Sequence, residues 1–148
     1  MNLLIIGSGG REHAIAWKIS QSSKVKKIYV TPGNPGISLE EKVSLIQIDN
    51  PSIKDYINIA KEKNIDLTIV GPEAPLVEGI VDEFKKNNLK IFGPNKLASQ
   101  LEGSKDFCKN ILNAGNVLTA KHKSFTDSIS AINYVKDQNM PIVIKADG

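Results

Sequence analysis

The stretch Asn2-Leu3-Leu4-Ile5-Ile6-Gly7-Ser8-Gly9-Gly10-Arg11-Glu12-His13 runs a strand-length apolar segment straight into a glycine-rich turn and the start of a helical pattern. Leu3 to Ile6 show no polar alternation, which suits a strand covered on both faces, as in a parallel sheet. The pattern recurs along the chain. Leu3 to Ile6, Ile28 to Val30, Val43 to Ile48, Leu67 to Val70 and Ile91 to Phe92 read as strands. Glu12 to Ser20, Ser52 to Lys63 and Leu76 to Asn87 read as helices, with apolar residues at helical spacing such as Ile53, Ile57 and Ala60, or Val77, Ile80, Val81 and Phe84. Alternation of this kind predicts an α/β fold, a Rossmann-like, doubly wound parallel sheet with right-handed crossovers. Such sheets bind ligands outside the carboxyl ends of their strands, so the loops after Ile6, Val30, Val70 and Phe92 are expected on one rim.

Arg11 is the single arginine among 19 Lys and Arg residues. A chain so biased toward lysine has little use for arginine as generic surface charge. Its position at the mouth of a glycine-rich turn points to forked, planar hydrogen bonding to phosphate or carboxylate, which lysine cannot provide. The formal charge of +3 is spread over separated lysines with no basic stripe interleaved with aromatics, so nucleic-acid binding is not expected. No apolar run is long enough for a membrane span and the start carries no secretory pattern, so the expected location is the cytoplasm. The lone cysteine, Cys108, excludes an intramolecular disulfide and reads as a small helix hydrophobe.

Gly7 and Gly9 fit the first two glycines of a dinucleotide fingerprint, but the third position holds Glu12, and the second strand ends Tyr29-Val30-Thr31-Pro32 where a ribose-binding acid should stand. A dinucleotide dehydrogenase is therefore disfavoured. The underlying physics remains, because glycines let backbone amides approach an anion at a helix N-terminus. His13, in the first turn, reads equally as an anion contact or a packing residue. The second loop, Thr31-Pro32-Gly33-Asn34-Pro35-Gly36, stands in place of a crossover helix, with two Pro-Gly steps that stiffen it. The third, Gly71-Pro72-Glu73-Ala74-Pro75-Leu76, brings one carboxylate to the rim.

Taken in order, Gly7 to Ala14, Pro32 to Gly36, Gly71-Pro72-Glu73 with Pro75, Leu76 and Gly79, Gly93-Pro94, Leu101-Glu102-Gly103-Ser104-Lys105 and Val143-Ile144-Lys145-Ala146-Asp147-Gly148 resemble the amino-terminal part of the glycinamide ribonucleotide synthetase family of ATP-grasp ligases. Six motifs in sequence carry the resemblance over the whole chain. One local departure lies at Val117-Leu118-Thr119-Ala120-Lys121-His122, where the family usually reads Ile-Pro-Thr-Ala.

The resemblance implies a Rossmann-like substrate-binding domain over residues 1–100 and the beginning of an ATP-grasp domain over 101–148, the remainder of which lies beyond this sequence. It implies a ligase that joins glycine to 5-phosphoribosylamine through glycyl phosphate, using ATP and Mg2+, in purine synthesis. Gly9, Gly10, Arg11, Glu12, His13, Asn34, Pro35, Gly36, Gly71, Pro72 and Glu73 are the implied contacts for phosphoribosylamine, and Lys105 and Lys145 for ATP. No catalytic residue or metal ligand is assigned within these residues, so the chain by itself is expected to be inactive. Two alternatives stay open: another ATP-grasp carboxylate-amine ligase, and a non-catalytic nucleotide-binding or association module.

Overall fold

A computed structural model describes residues 1–147. The chain divides into two compact units, Met1–Ser99 and the segment from Gln100 onward. In the first, five strands form one sheet in which every pairing is parallel. The strands are β1 (Asn2–Gly7), β2 (Lys27–Pro32), β3 (Val43–Leu45), β4 (Leu67–Val70) and β5 (Ile91–Phe92). The helices are α1 (Gly10–Ser20), α2 (Ile53–Glu62), α3 (Glu73–Glu78), α4 (Ile80–Lys86) and α5 (Lys96–Gly103), which runs across the boundary into the second unit.

The unbroken apolar run of β1 explains its central place. Leu4 and Ile6 point into one core with Ile57, Ala60, Ile80, Val81 and Phe84 from α2 and α4, while Leu3 and Ile5 point into the other with Ala16 of α1, Ile28, Val30 and Ile37. Only a strand apolar on both sides can serve two cores. Thr31 and Thr68, on the strands flanking β1, are fully buried, and neither hydroxyl has a hydrogen-bond partner among the described residues.

Two expected elements differ. The third strand stops at Leu45 rather than Ile48. The ladder runs from Ile28 N–H to Lys42 C=O and from Ile46 N–H to Val30 C=O, so the next donor would be Pro32, which has no N–H. The Gln47 side-chain amide donates to the Pro32 carbonyl instead, at 2.9 Å. The helix expected from Leu76 to Asn87 is two helices joined at Gly79, whose φ of 104° ends α3 and starts α4. A left-handed residue cannot lie inside a right-handed helix.

After β2, a short 3-10 turn, Ile37–Leu39, replaces a crossover helix and buries Ile37. The second unit contains α6 (Lys105–Ala114) and α7 (Ser128–Lys136). The apolar run Val143 to Lys145 has strand character, with sheet partners expected mostly from sequence outside these residues; Val143 and Ile144 are 78% and 75% exposed and pair with no strand among the described residues.

Candidate functional site

The order β3-β2-β1-β4-β5 reverses direction between β1 and β4, leaving a crevice at their carboxyl ends. The glycine-rich loop after β1 and the Gly71-Pro72-Glu73 loop after β4 flank it, and the Pro32–Gly36 loop after β2 lies next along the rim. Their backbones are tied together. Gly33 N–H donates to the Gly7 carbonyl at 3.1 Å and Gly71 N–H to the Ile6 carbonyl at 3.0 Å.

Glu12 forms the centre of this arrangement. It is 4% exposed, accepts from Gly9 N–H at 2.7 Å and from Arg11 Nε–H at 3.1 Å, and lies against Gly7 and Gly71. A Cβ on Gly7 would come within 2.6 Å of Glu12 Cγ, and one on Gly71 would run into the carboxylate itself. These two glycines are therefore small to admit Glu12. The carboxylate also occupies a loop amide that a dinucleotide pyrophosphate would need, so the substitution at the fingerprint's third glycine changes the chemistry of the loop.

Arg11 is 61% exposed and lies between two carboxylates, its Nε on Glu12 and its Nη2 3.9 Å from Glu73 Oε2. Glu73 starts α3 and is 62% exposed. With Nε engaged, the outer edge of the guanidinium is turned to solvent. Ser8, Gly9 and Gly10 are exposed beside it, where α1 begins and its first N–H groups face the rim.

The second loop is held by side chains. Asn34 Nδ2 donates to the Ser8 carbonyl at 2.7 Å, while its Oδ1 accepts from Ile37 N–H at 3.0 Å. His13 Nε2 lies 2.9 Å from Glu40 Oε1, and a Cβ at Gly36 would be 2.9 Å from the His13 ring. His13 thus packs on the loop and pairs with its far end. Pro35 is exposed beyond these contacts.

Of the residues expected from sequence, the fold gathers Gly9, Gly10, Arg11, Glu12, His13, Asn34, Pro35, Gly36, Gly71, Pro72 and Glu73 on the three loops of one rim. Glu12, His13 and Asn34 have their polar groups directed to the protein itself. Sequence reasoning missed Ser8, whose carbonyl anchors Asn34, and Glu40. The latter stands 27 positions from His13, with no motif to mark it.

Within the second unit, Lys105 and Lys145 are both exposed. Ser104 caps α6, its hydroxyl accepting from Phe107 N–H at 3.0 Å. Asp147 reaches the same helix start, Oδ1 accepting from Lys105 N–H at 2.6 Å and Asp106 N–H at 3.2 Å, and Oδ2 from the Ser104 hydroxyl at 2.9 Å. These bonds, the Asp106 amide first, hold its carboxyl below the usual carboxylate range. A recess beside α6 is lined by Asp106, Asp127 and Asp147 with Ser124 and Phe125. Three carboxylates make it unsuited to phosphate. Among the described residues no group of three or more His, Cys, Asp or Glu side chains is placed to hold a metal ion, and no helix is long and apolar enough to cross a membrane.

Residues 1–102 match the family described as phosphoribosylglycinamide synthetase, N domain. The whole chain is 52% identical to the phosphoribosylamine–glycine ligase of Haemophilus influenzae and 53% identical to that of Vibrio cholerae, covering 34% of each. The chain spans about a third of the length of the curated relatives it matches. Among solved structures, the phosphoribosylamine–glycine ligase of Thermotoga maritima superposes with a TM-score of 0.71 at 26% identity, over 100% of this chain and 33% of that one. The biotin carboxylase domain of a single-chain bacterial carboxylase superposes over 92% of this chain and 34% of its own, with a TM-score of 0.61 at 11% identity, which shows shared fold alone.

Proposed function

The chain belongs to the phosphoribosylglycinamide synthetase family, and from that premise we propose that the natural protein carrying it joins glycine to 5-phosphoribosylamine with hydrolysis of ATP, working in the cytoplasm. Phosphoribosylamine binds on the rim of the first unit. The observation that carries this reading is the convergence of three loops, from positions 7–13, 32–36 and 71–73, around the only arginine of the chain.

The rim suits a small, polar, partly anionic molecule. The free edge of Arg11 donates to an anionic or hydroxyl oxygen, the first N–H groups of α1 add donors, and Glu73 accepts from a hydroxyl or amine. Glu12, His13 and Asn34 keep those groups in place. In the second unit, Lys105 and Lys145 fit contacts to ATP phosphates, which need mobile cations. ATP supplies the activation of an otherwise unreactive glycine carboxylate. Among the described residues no group of three or more His, Cys, Asp or Glu side chains forms a ligand set for Mg2+. Catalysis of this kind rests on alignment and charge neutralisation.

The test is formation of glycinamide ribonucleotide by the purified natural protein, dependent on glycine, phosphoribosylamine and ATP together. Absence of that product, from protein that is folded and monodisperse, would overturn the reading. The 148-residue chain alone is expected to give no turnover, since it spans a third of the relatives that carry the ligase name.

A further inference from the structure

We propose that Asp147 is a positioning residue that sets Lys105 and Lys145 in register with each other. The proposal rests on the reading of those lysines as ATP phosphate contacts. The two lie 40 positions apart in the chain and on different kinds of backbone. Lys105 is the first residue of α6, so the helix fixes its Cα. Lys145 belongs to a segment, 141–147, with no strand pairing among the described residues. Something other than a sheet ladder has to hold it.

The Asp147 carboxylate does so. It takes hydrogen bonds from three consecutive residues, the Ser104 hydroxyl and the Lys105 and Asp106 amides, at 2.9, 2.6 and 3.2 Å. Ser104 in turn accepts from Phe107 N–H, so both side chains together satisfy the first turn of the helix. The helix dipole adds to the attraction for a charged carboxylate. Asp147 follows Lys145 by two residues, a span of at most about 7 Å of extended chain. Both lysines therefore start from backbone anchored by one contact. Two ammonium groups that converge on one phosphate repel each other, and a carboxylate fixed near the start of both side chains would offset part of that repulsion.

A helix cap alone would explain the hydrogen bonds, so the test separates capping from positioning. Asp147→Ala, Asp147→Asn, Lys105→Ala, Lys145→Ala and the double variant Lys105→Ala with Asp147→Ala are compared in the natural protein. KM for ATP, glycine and phosphoribosylamine is measured for each, with the melting temperature. The carboxamide keeps an acceptor for the helix amides but loses the charge and the acceptor for Ser104. It therefore serves if the alanine variant fails to fold.

Expected are a rise in ATP KM of about tenfold for Asp147→Ala, a smaller rise for Asp147→Asn, and little change in the other two constants. In the Lys105→Ala background the effect of Asp147→Ala should shrink to the part carried by Lys145, because the remainder acts through Lys105. An undiminished effect in that background, or equal rises in all three constants, would reduce Asp147 to a cap. If both lysine variants raise ATP KM while the Asp147 variants leave it unchanged, the positioning role is lost and the ATP reading stands. Unchanged ATP KM in both lysine variants overturns the ATP reading and this proposal with it.

Discussion

Glu12 takes up the Gly9 amide and the Arg11 Nε–H from a nearly dry position, and this decides what its neighbours are free to do. Arg11 is left with the far edge of its fork. Arg11→Lys keeps the charge but loses both the Glu12 contact and paired donation. In the natural protein it should weaken binding of phosphoribosylamine by on the order of 1.5 to 3 kcal/mol, a rise in its KM of about tenfold or more. ATP and glycine constants should change little; steady-state kinetics checks all three, and an unchanged phosphoribosylamine constant with a normal melting temperature removes Arg11 from the site. Gly10 gives a complementary test. A Cβ there meets nothing within 4 Å and the residue opens α1, so Gly10→Ala should leave folding stability unchanged or raise it by up to about 1 kcal/mol. If α1 faces the substrate, the same methyl should still raise phosphoribosylamine KM, so denaturation and kinetics on one variant separate fold from site. At this scale the sequence marked which loops matter, because Gly, Pro and a lone Arg are visible in one dimension. It did not reveal which side chains turn inward. Glu12, His13 and Asn34 owe their orientation to partners such as Gly71, Glu40 and Ser8, which are close only after folding.

Three helices begin on an aspartate carboxylate: α2 on Asp55, which exchanges hydrogen bonds with Ser52; α6 on Asp147; and α7 on Asp127, which accepts from Ser130 N–H. All three carboxyls are held below their ordinary value of 3.8, chiefly by the Ser52 hydroxyl, the Asp106 amide and the Ser130 amide respectively. A carboxyl that is more acidic in the folded state stabilises it fully above the unfolded value and loses that contribution as pH falls through the folded one. Helical circular dichroism of the chain should therefore hold as pH falls to about 4 and decline below it. Ser52→Ala should lower the neutral-pH signal and shrink the acid transition. A transition centred near pH 6 would point to other groups. Elements were legible where one rule acted alone, as in β1, β4 and the Ile53-Ile57-Ala60 stripe of α2. They were misjudged where a local exception overruled the apolar pattern: Pro32 halts the β2–β3 ladder, and Gly79 in a left-handed conformation splits one helix into two. Both exceptions involve residues whose special geometry is known, but their effect depends on ladder phase and on backbone direction, which periodicity does not report.

Across the whole chain, the two units differ in how much apolar surface they cover. The first has a core on each face of its sheet, whereas in the second Leu118, Ile129, Val143 and Ile144 are each more than 70% exposed. Amides of Leu4 to Ile6 should exchange with deuterium orders of magnitude more slowly than those of Ile142 to Ile144. Exchange mass spectrometry on the 148-residue chain measures this directly, and equal protection would mean that self-association supplies the missing cover. The sheet of the first unit was legible because each of its strands and partners lies within it. Val143 to Lys145 reads as a strand whose partners come mostly from sequence outside these residues, and without a strand to pair with, the apolar run stays exposed. The central place of β1 carries a last consequence, one of timing. Leu3 is hydrogen-bonded beside Ile28 on one side and Leu67 on the other, so the strand is synthesised well before its second neighbour exists. At roughly 5 to 20 residues per second, Leu3 to Ile6 wait on the order of 3 to 13 s for β4. In that interval the nascent chain presents its most apolar segment half-covered, which makes β1 the place where a trigger of aggregation, or a chaperone, finds it first.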